Sequence, residues 1–290
     1  MILITGAAGK TGLAVLKALV RRGISVRVLV RRHVQAERLI REGAAEAVTG
    51  DMTAVESYRQ AMDGVRSVYH LCPNMHPGET EIGRLAINTA CQYRIGHFVY
   101  HSVLHPQTEK MPHHWQKMRV EEELFESGLD FTILQPAPYM QNILASRSSI
   151  INEGLVRAPY PAESRFSLVD LEDLGEAAAI VLTESGHKGA TYELVGTLAL
   201  SQAEMTALIG TVLERNITFE EITLEQWQKD AEKAGLGQYA LDTLQKMFLY
   251  YAQYGLDGNS FVLRSLIGRE PFSLADFIKR EFLEYLENGG

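Results

Sequence analysis

Short apolar runs alternate with amphipathic segments through the first half of the chain. The runs Met1–Thr5, Ser25–Val30, Ala47–Thr49, Ser67–Leu71, His97–His101 and Phe131–Leu134 are bounded by turn residues and read as strands. Between them Thr11–Arg22, Gln35–Glu42, Val55–Met62, Glu79–Arg94 and His113–Ser127 carry the helical period. In the first of these Leu13, Leu16, Leu19 and Val20 share one face, and Arg21 and Arg22 close it. Gly23, Gly43, Gly64, Gly96 and Gly128 each follow a helical segment, where a C-terminal cap belongs. Strand, helix, strand at this rhythm predicts right-handed crossovers and a parallel sheet covered on both faces. Six such strands fit an α/β, doubly wound sheet of the Rossmann type.

After Pro136 the rhythm changes. Pro136, Pro138, Pro159 and Pro161 break the chain. Strand candidates become isolated, at Leu155–Arg157, Phe166–Val169, Tyr192–Val195 and Ile217–Ile222. Helices are predicted over Leu171–Thr183, Gln202–Leu213, Leu224–Ala234, Tyr239–Tyr254 and Leu274–Leu286. The expected organisation is a sheet domain over residues 1–150, to which segments of about 165–195 return. A smaller, largely helical lobe follows over 151–290.

Composition narrows the class. The 290 residues are 46% hydrophobic and 22% charged, an ordinary globular balance. The net charge of −8, with no stripe of Lys and Arg, argues against nucleic acid as a partner. Two cysteines, Cys72 and Cys91, make no disulfide framework and suit a reducing compartment. No apolar run approaches the ~20 residues of a membrane span, and Met1–Thr5 is too short for a signal-peptide core. A soluble, cytoplasmic protein is expected, with no membrane partner, as a monomer or homodimer.

The strongest local signal is Thr5-Gly6-Ala7-Ala8-Gly9-Lys10-Thr11-Gly12, directly after a strand and directly opening a helix. Gly6 turns the chain off the strand, Gly9 lets backbone N–H groups approach a pyrophosphate, and Gly12 lets the helix pack on the sheet. Gly6, Ala8, Gly9, Lys10, Thr11 and Gly12 are therefore cofactor candidates at a helix N-terminus suited to an anion. Lys10 reads equally as phosphate contact or solvated side chain. Gly9-Lys10-Thr11 imitates a P-loop ending, but that motif needs a glycine at position 4, which is Ile4.

The second strand candidate ends at Val30 and runs into Arg31-Arg32, where an NAD-type fold carries an acid. A guanidinium pairs with a 2′-phosphate that an acid would repel, so NADP(H) is the expected cofactor; a plain solvated strand end is the alternative. Ligands sit at the carboxyl ends of parallel strands, which adds Asp51 and Met52 beside the adenine, and Leu71, Cys72 and Pro73 along the cofactor.

Thr5-Gly-x-x-Gly-x-x-Gly12, Val30-Arg31, Gly50-Asp51, Lys117-x-x-x-Glu121 and Phe131-Thr-Ile-Leu-Gln-Pro136 together resemble the NmrA-like branch of the atypical short-chain dehydrogenase/reductases. Ser167–Ala179 and Thr191-Tyr-Glu-Leu194 add to the resemblance, which is weaker beyond about residue 215. It implies an NADP-binding Rossmann domain with a C-terminal substrate lobe. It implies either an NADPH-dependent reductase of quinones or triphenylmethane dyes, or an NADP(H)-binding redox sensor acting through a protein partner. The family commonly has Arg-Pro where this chain has Gln135-Pro136.

Classical short-chain reductases use a Tyr-x-x-x-Lys helix face. Here that face reads His113-x-x-x-Lys117, with histidine in the tyrosine position. Lys117 is the candidate for the nicotinamide ribose, and His113 for the proton donor, with a solvated helix start as the plain alternative. Tyr139 is a second acid candidate or a structural aromatic. Ser102, after the fifth strand, is a cofactor or substrate contact or a strand-end cap, and Pro136 and Ala137 are further cofactor candidates. His97, His101 and His105 are spaced by four, but on a strand that spreads ligands about 13 Å apart, and no metal is expected. The leading expectation is hydride transfer to a small aromatic or conjugated acceptor, with the Phe248–Tyr254 stretch lining its pocket, forming a partner surface, or simply packing helices.

Overall fold

A computed structural model describes residues 1–73 and 75–287, leaving Asn74 and 288–290 outside the described residues. In chain order the elements begin with β1 (Ile2–Thr5), α1 (Lys10–Arg21), β2 (Val26–Val30), α2 (His33–Arg41), β3 (Glu46–Thr49), α3 (Val55–Met62), β4 (Ser67–His70) and α4 (Glu79–Gln92). They continue with β5 (His97–His101), α5 (Pro112–Glu126), β6 (Phe131–Pro136), a 3₁₀ segment (Met140–Ser146), α6 (Arg147–Glu153), β7 (Leu155–Ala158) and β8 (Arg165–Phe166). The last are α7 (Leu171–Thr183), β9 (Ala190–Leu194), β10 (Leu200–Ser201), α8 (Gln202–Leu213), β11 (Thr218–Glu221), α9 (Leu224–Lys233), α10 (Gln238–Tyr254), α11 (Phe261–Ile267), α12 (Leu274–Ile278), a π-helical turn (Lys279–Leu283) and α13 (Glu284–Glu287).

The chain divides into two compact units. One comprises 1–136 with 171–194, the other 137–170 with 195–290. The first segment of the first unit runs to Pro136, and the chain returns to that unit at Leu171. The unit holds a seven-stranded sheet in the order β3-β2-β1-β4-β5-β6-β9. Every pairing in that sheet is parallel. This is the doubly wound α/β fold that the alternation predicts. The seventh strand is Ala190–Leu194, which pairs with β6 from Thr132↔Ala190 to Pro136↔Leu194 and is not isolated. β1, β4 and β5 are buried along their whole length, as central strands of a sheet covered on both faces must be.

Small residues set how closely the helices approach. A Cβ on Gly83 of α4 would lie 2.6 Å from the Val120 methyls of α5. On the other face a Cβ on Gly175 of α7 would lie 2.8 Å from the Ala14 carbonyl of α1. α7 carries Ala177, Ala178 and Ala179, all buried. Leu3, Val68, Phe98, Tyr100, Ile82 and Val120 belong to one apolar cluster.

Gly23, Gly43, Gly64 and Gly128 take positive φ, the cap conformation. Gly96 does not. Arg94 takes the left-handed position after α4 instead, at φ 52°.

The second unit pairs β7 with β11 in parallel and β8 with β10 antiparallel. Phe248 and Tyr251 of α10 are buried in it: Phe248 packs on Tyr160 and Trp227, and Tyr251 on Phe166, at ring separations of 4.7–5.4 Å. Of the Phe248–Tyr254 stretch, these two residues pack helices and Tyr254 is exposed. The helix expected over Leu274–Leu286 is interrupted by the π-helical turn, which carries Arg280 to the fully buried Asp170 at 2.6 Å. No helix among the described residues is long and apolar enough to cross a membrane.

Candidate functional site

The site lies in the first unit at the carboxyl edge of the sheet, where the strand order reverses between β1 and β4. Thr5 ends β1. Its Oγ1 donates to the Leu71 carbonyl at 3.1 Å and accepts from the Leu71 N–H at 2.9 Å, so the ends of β1 and β4 are stitched together. Gly6 then leaves the strand at φ 64°, and a Cβ there would sit 2.7 Å from the Leu71 carbonyl. A Cβ on Gly12 would sit 2.6 Å from both the Ala7 Cα and the Gly6 carbonyl. These two glycines are demanded by the protein's own packing.

Gly9 is different. Among the described residues, its chain neighbours aside, the Gly6 carbonyl oxygen at 3.5 Å is what lies within 4 Å of its ideal Cβ. Gly9 is the N-cap of α1, no side chain caps that helix, and no acid stands in its first turn. Open space over Gly9 and the positive end of α1 therefore coincide above the turn. The residues fit the pyrophosphate of a dinucleotide. Lys10 is exposed beside this space, and Thr11 is buried beneath it.

Two arginines flank the turn. Arg31 is exposed at the end of β2, and its field helps hold the Asp51 carboxyl below the usual range, after the larger effect of two hydrogen bonds from Thr53 at 2.8 Å. Arg38 comes from the next helix and donates to the Ala8 carbonyl at 2.7 Å, which lays its guanidinium on the glycine turn. Arg38 lies in the last turn of α2 and meets Ala8 across 30 residues, a contact with no local sequence signal. Arg32 is the N-cap of α2, and its backbone N–H donates to the Gln35 side chain at 3.1 Å. Met52 is buried at the end of β3. Cys72 is buried after β4, and burial, then the Glu79 charge, pushes its thiol well up, so it is no thiolate.

α5 presents His113, Lys117 and Glu121 at intervals of four, on one face. Lys117 Nζ pairs with Glu79 of α4 at 2.5 Å and donates to the His101 carbonyl at 3.3 Å. The Glu79 carboxylate also accepts from the Tyr100 hydroxyl at 3.2 Å. Burial, then the Glu79 charge, raises the Tyr100 phenol well above its ordinary value, so Tyr100 stays protonated.

Further along, Ser102 donates to Glu121, and Gln135 Nε2 reaches both Glu121 oxygens at 3.0 Å.

His113 is not at a solvated helix start. It is 7% exposed, and burial, then His114 and Lys117, pushes its imidazole down to about 2. Its Nδ1 is buried with no partner among the described residues. The expectation that His113 donates a proton near neutral pH therefore needs correcting, because its cationic form is absent there. Tyr139 and Ala137 belong to the second unit, where Tyr139 bridges to Val169. Pro136 ends β6 in the first unit, and its carbonyl accepts from the Leu104 N–H at 2.9 Å. Pro73 follows Cys72 outside any regular element.

The histidines are tied to the fold. His70 Nδ1 lies 3.1 Å from the Thr5 hydroxyl, His97 Nε2 lies 2.8 Å from the Thr132 hydroxyl, and His101 Nδ1 lies 2.5 Å from the Tyr69 hydroxyl. Among the described residues no group of three or more His, Cys, Asp or Glu side chains is arranged to hold a metal ion.

A seven-stranded parallel sheet in this order, with three glycines on the first turn and an open anion cradle at the helix that follows, defines a dinucleotide-binding protein of the Rossmann class. The chain belongs to the NmrA-like family, whose model matches residues 1–286. An NAD(P)H azoreductase of Xenophilus azovorans is 27% identical over 281 residues, spanning 96% of this chain and 97% of that protein. A (4-alkanoyl-5-oxo-2,5-dihydrofuran-3-yl)methyl phosphate reductase of Streptomyces griseus is 32% identical over 229 residues, 78% of each chain. Among solved structures, an NADPH-dependent quinone oxidoreductase from Escherichia coli in complex with NADPH superposes with a TM-score of 0.85 at 25% identity, covering 97% of this chain and all of that one. The chain is thus an NmrA-like oxidoreductase-family protein.

Proposed function

We propose that the protein is an NADP(H)-dependent reductase that passes a hydride to a small conjugated acceptor, a quinone or an azo dye. The observation that carries the cofactor is the glycine turn: open at Gly9, uncapped at α1, and flanked by Arg31 and by Arg38 across the Ala8 carbonyl. Arg31 at the end of β2 and Arg38 of α2 suit a 2′-phosphate, and no acid stands where a free 2′-hydroxyl is usually bound. The acceptor class rests on the relatives, two of which are named for reducing azo compounds and quinones with a nicotinamide cofactor. Bound NADPH supplies the hydride. The chain contributes orientation, through the turn and through Lys117, whose ammonium stands at the carboxyl edge beside the His101 carbonyl and is the group for the nicotinamide ribose.

The test is twofold. Calorimetric titration should give tighter binding of NADPH than NADH, and a spectrophotometric screen should give NADPH oxidation with at least one quinone or azo dye. Equal affinities would sink the cofactor assignment. NADPH binding with no oxidation across quinones, dyes and aldehydes would assign the chain as a cofactor-binding sensor.

A further inference from the structure

Glu121 is 3% exposed, and the side chains that hydrogen-bond it, Ser102 and Gln135, are both neutral. The nearest cation on its own helix, Lys117, is already paired with Glu79. A buried carboxyl without a counter-charge is costly to ionise and tends to keep its proton. Ser102 stands one residue past the end of β5, at the sheet edge where ligands of this fold bind.

Hydride transfer to a carbonyl, quinone or azo group leaves an anion that must take up one proton. The usual tyrosine position holds His113, which is neutral and buried. We propose that Glu121 stores the proton a reduced acceptor takes up and delivers it through the Ser102 hydroxyl. The proposal rests on the reductase reading above. The steps balance. NADPH gives two electrons and one hydrogen to the acceptor as hydride. In the proton-loaded state the Glu121 carboxyl donates to Ser102 Oγ across the same contact, which leaves the Ser102 hydroxyl to donate to the acceptor; the acceptor anion takes that hydroxyl proton and Ser102 Oγ takes the proton of the Glu121 carboxyl. Glu121 is left as carboxylate, held by the Gln135 amide, and regains a proton from solvent before the next turnover.

The groups facing Glu121 are consistent with this role. Burial raises its carboxyl above the ordinary value, while the hydrogen bonds from Ser102 and Gln135 and the Lys117 charge lower it by less. Tyr100 on β5 is protonated and neutral, and Glu79 on α4 neutralises Lys117. Gln135 decides the matter. Its single amide nitrogen spans both Glu121 oxygens at 3.0 Å, in the position from which an arginine fork would pair with the carboxylate and hold it ionised.

Four proteins test this: wild type, Glu121→Gln, Gln135→Arg and Ser102→Ala. Infrared difference spectra across a pH titration read the protonated-carboxyl carbonyl band. Steady-state NADPH oxidation with a naphthoquinone reads kcat against pH. The wild type should show a protonated-carboxyl band that persists above the ordinary glutamate range, and kcat should fall with the same apparent pKa. Glu121→Gln should lose the band and the alkaline limb, with kcat lowered about 100-fold or more and NADPH affinity unchanged. Gln135→Arg should move band and limb together to lower pH. Ser102→Ala should keep the band and lose the rate. Turnover with the same pH profile in Glu121→Gln as in wild type, or a wild-type band indistinguishable from that variant's, overturns the proposal alone. NADPH binding with no turnover in the wild type overturns the reductase reading and takes the proposal with it.

Discussion

Mild acid should unfold this protein well above the pH at which carboxylates titrate. The perturbation is protonation of five buried histidines. His70, His97, His101, His113 and His114 are each 8% exposed or less. Burial is the first cause of a depressed imidazole in every one. It takes His70 to about 3, His97 and His114 to about 4, and His113 to about 2, and His101 well below its ordinary value. Lys117 adds repulsion for His70, His101, His113 and His114. In the unfolded chain an imidazole titrates at about 6.5. Below that pH the unfolded state binds protons that the folded state refuses, so stability is full above about 7 and is lost as pH falls toward 4. Each group withdraws about 1.4 kcal/mol per pH unit once well below 6.5. Between pH 7 and 5.5 five such groups withdraw on the order of 5 kcal/mol, comparable to the whole unfolding free energy of an ordinary domain. Glu121, raised by burial, opposes the trend by one group only. Urea unfolding followed by circular dichroism at pH 7.5, 6.5 and 5.5 reads the effect as a falling midpoint. A midpoint that stays level over this range, or five imidazoles that titrate near 6.5 by NMR, would refute the reasoning.

Three further predictions concern the site. Gly12→Ala drives a Cβ to 2.6 Å from the Ala7 Cα, so thermal melting should show a loss of about 1–3 kcal/mol or more, whereas Gly9→Ala, whose Cβ meets the Gly6 carbonyl at an ordinary contact of 3.5 Å, should melt like wild type and yet bind NADPH more weakly by calorimetry. Arg31→Ala should weaken NADPH about 10- to 100-fold and leave NADH unchanged, whereas Arg38→Ala, which also releases the Ala8 carbonyl of the glycine turn, should weaken both; parallel loss of both nucleotides in Arg31→Ala would count against a 2′-phosphate site. Lys117→Met strands the buried Glu79 carboxylate and should cost about 3–5 kcal/mol in urea unfolding, which Glu79→Gln added to it should largely restore, while cofactor binding stays weak in both variants.

The sheet was legible because its signals are local. Strand and helix periods, the spacing Gly6-Gly9-Gly12 and Arg31 directly after β2 lie within single elements or across one turn. What escaped the sequence was joined over long separations. Glu79 meets Lys117 across 38 residues, Arg38 returns 30 residues to Ala8, and Gln135 meets Glu121 from a different element. Lys117-x-x-x-Glu121 showed a shared helix face but not that Ser102 and Gln135 cover its second member. Gly96 misled because a glycine near a helix end reads as its cap, while the chain had already turned at Arg94. His113 misled for a related reason: a helix start is ordinarily wet, and only tertiary packing buries this one. The π-helical turn at Lys279–Leu283 has no local signature, and within it Arg280 meets Asp170 across 110 residues.

The late arrival of β9 bears on how the protein is made. Strands β1 to β6 are complete in the sequence by Pro136, but the strand that covers the outer edge of β6 is Ala190–Leu194. α7, which closes over α1, also lies beyond that point, at Leu171–Thr183. A ribosome adding about 5–20 residues per second needs roughly 3–10 s to pass from one strand to the other. For that interval the edge of Phe131–Pro136 has no partner, and an open, apolar strand edge is a template for pairing with another nascent chain. Crowded polysomes, rather than the finished protein, are therefore where this fold is most exposed to aggregation, and a chaperone that shields strand edges should raise its yield during synthesis more than it helps refolding from urea.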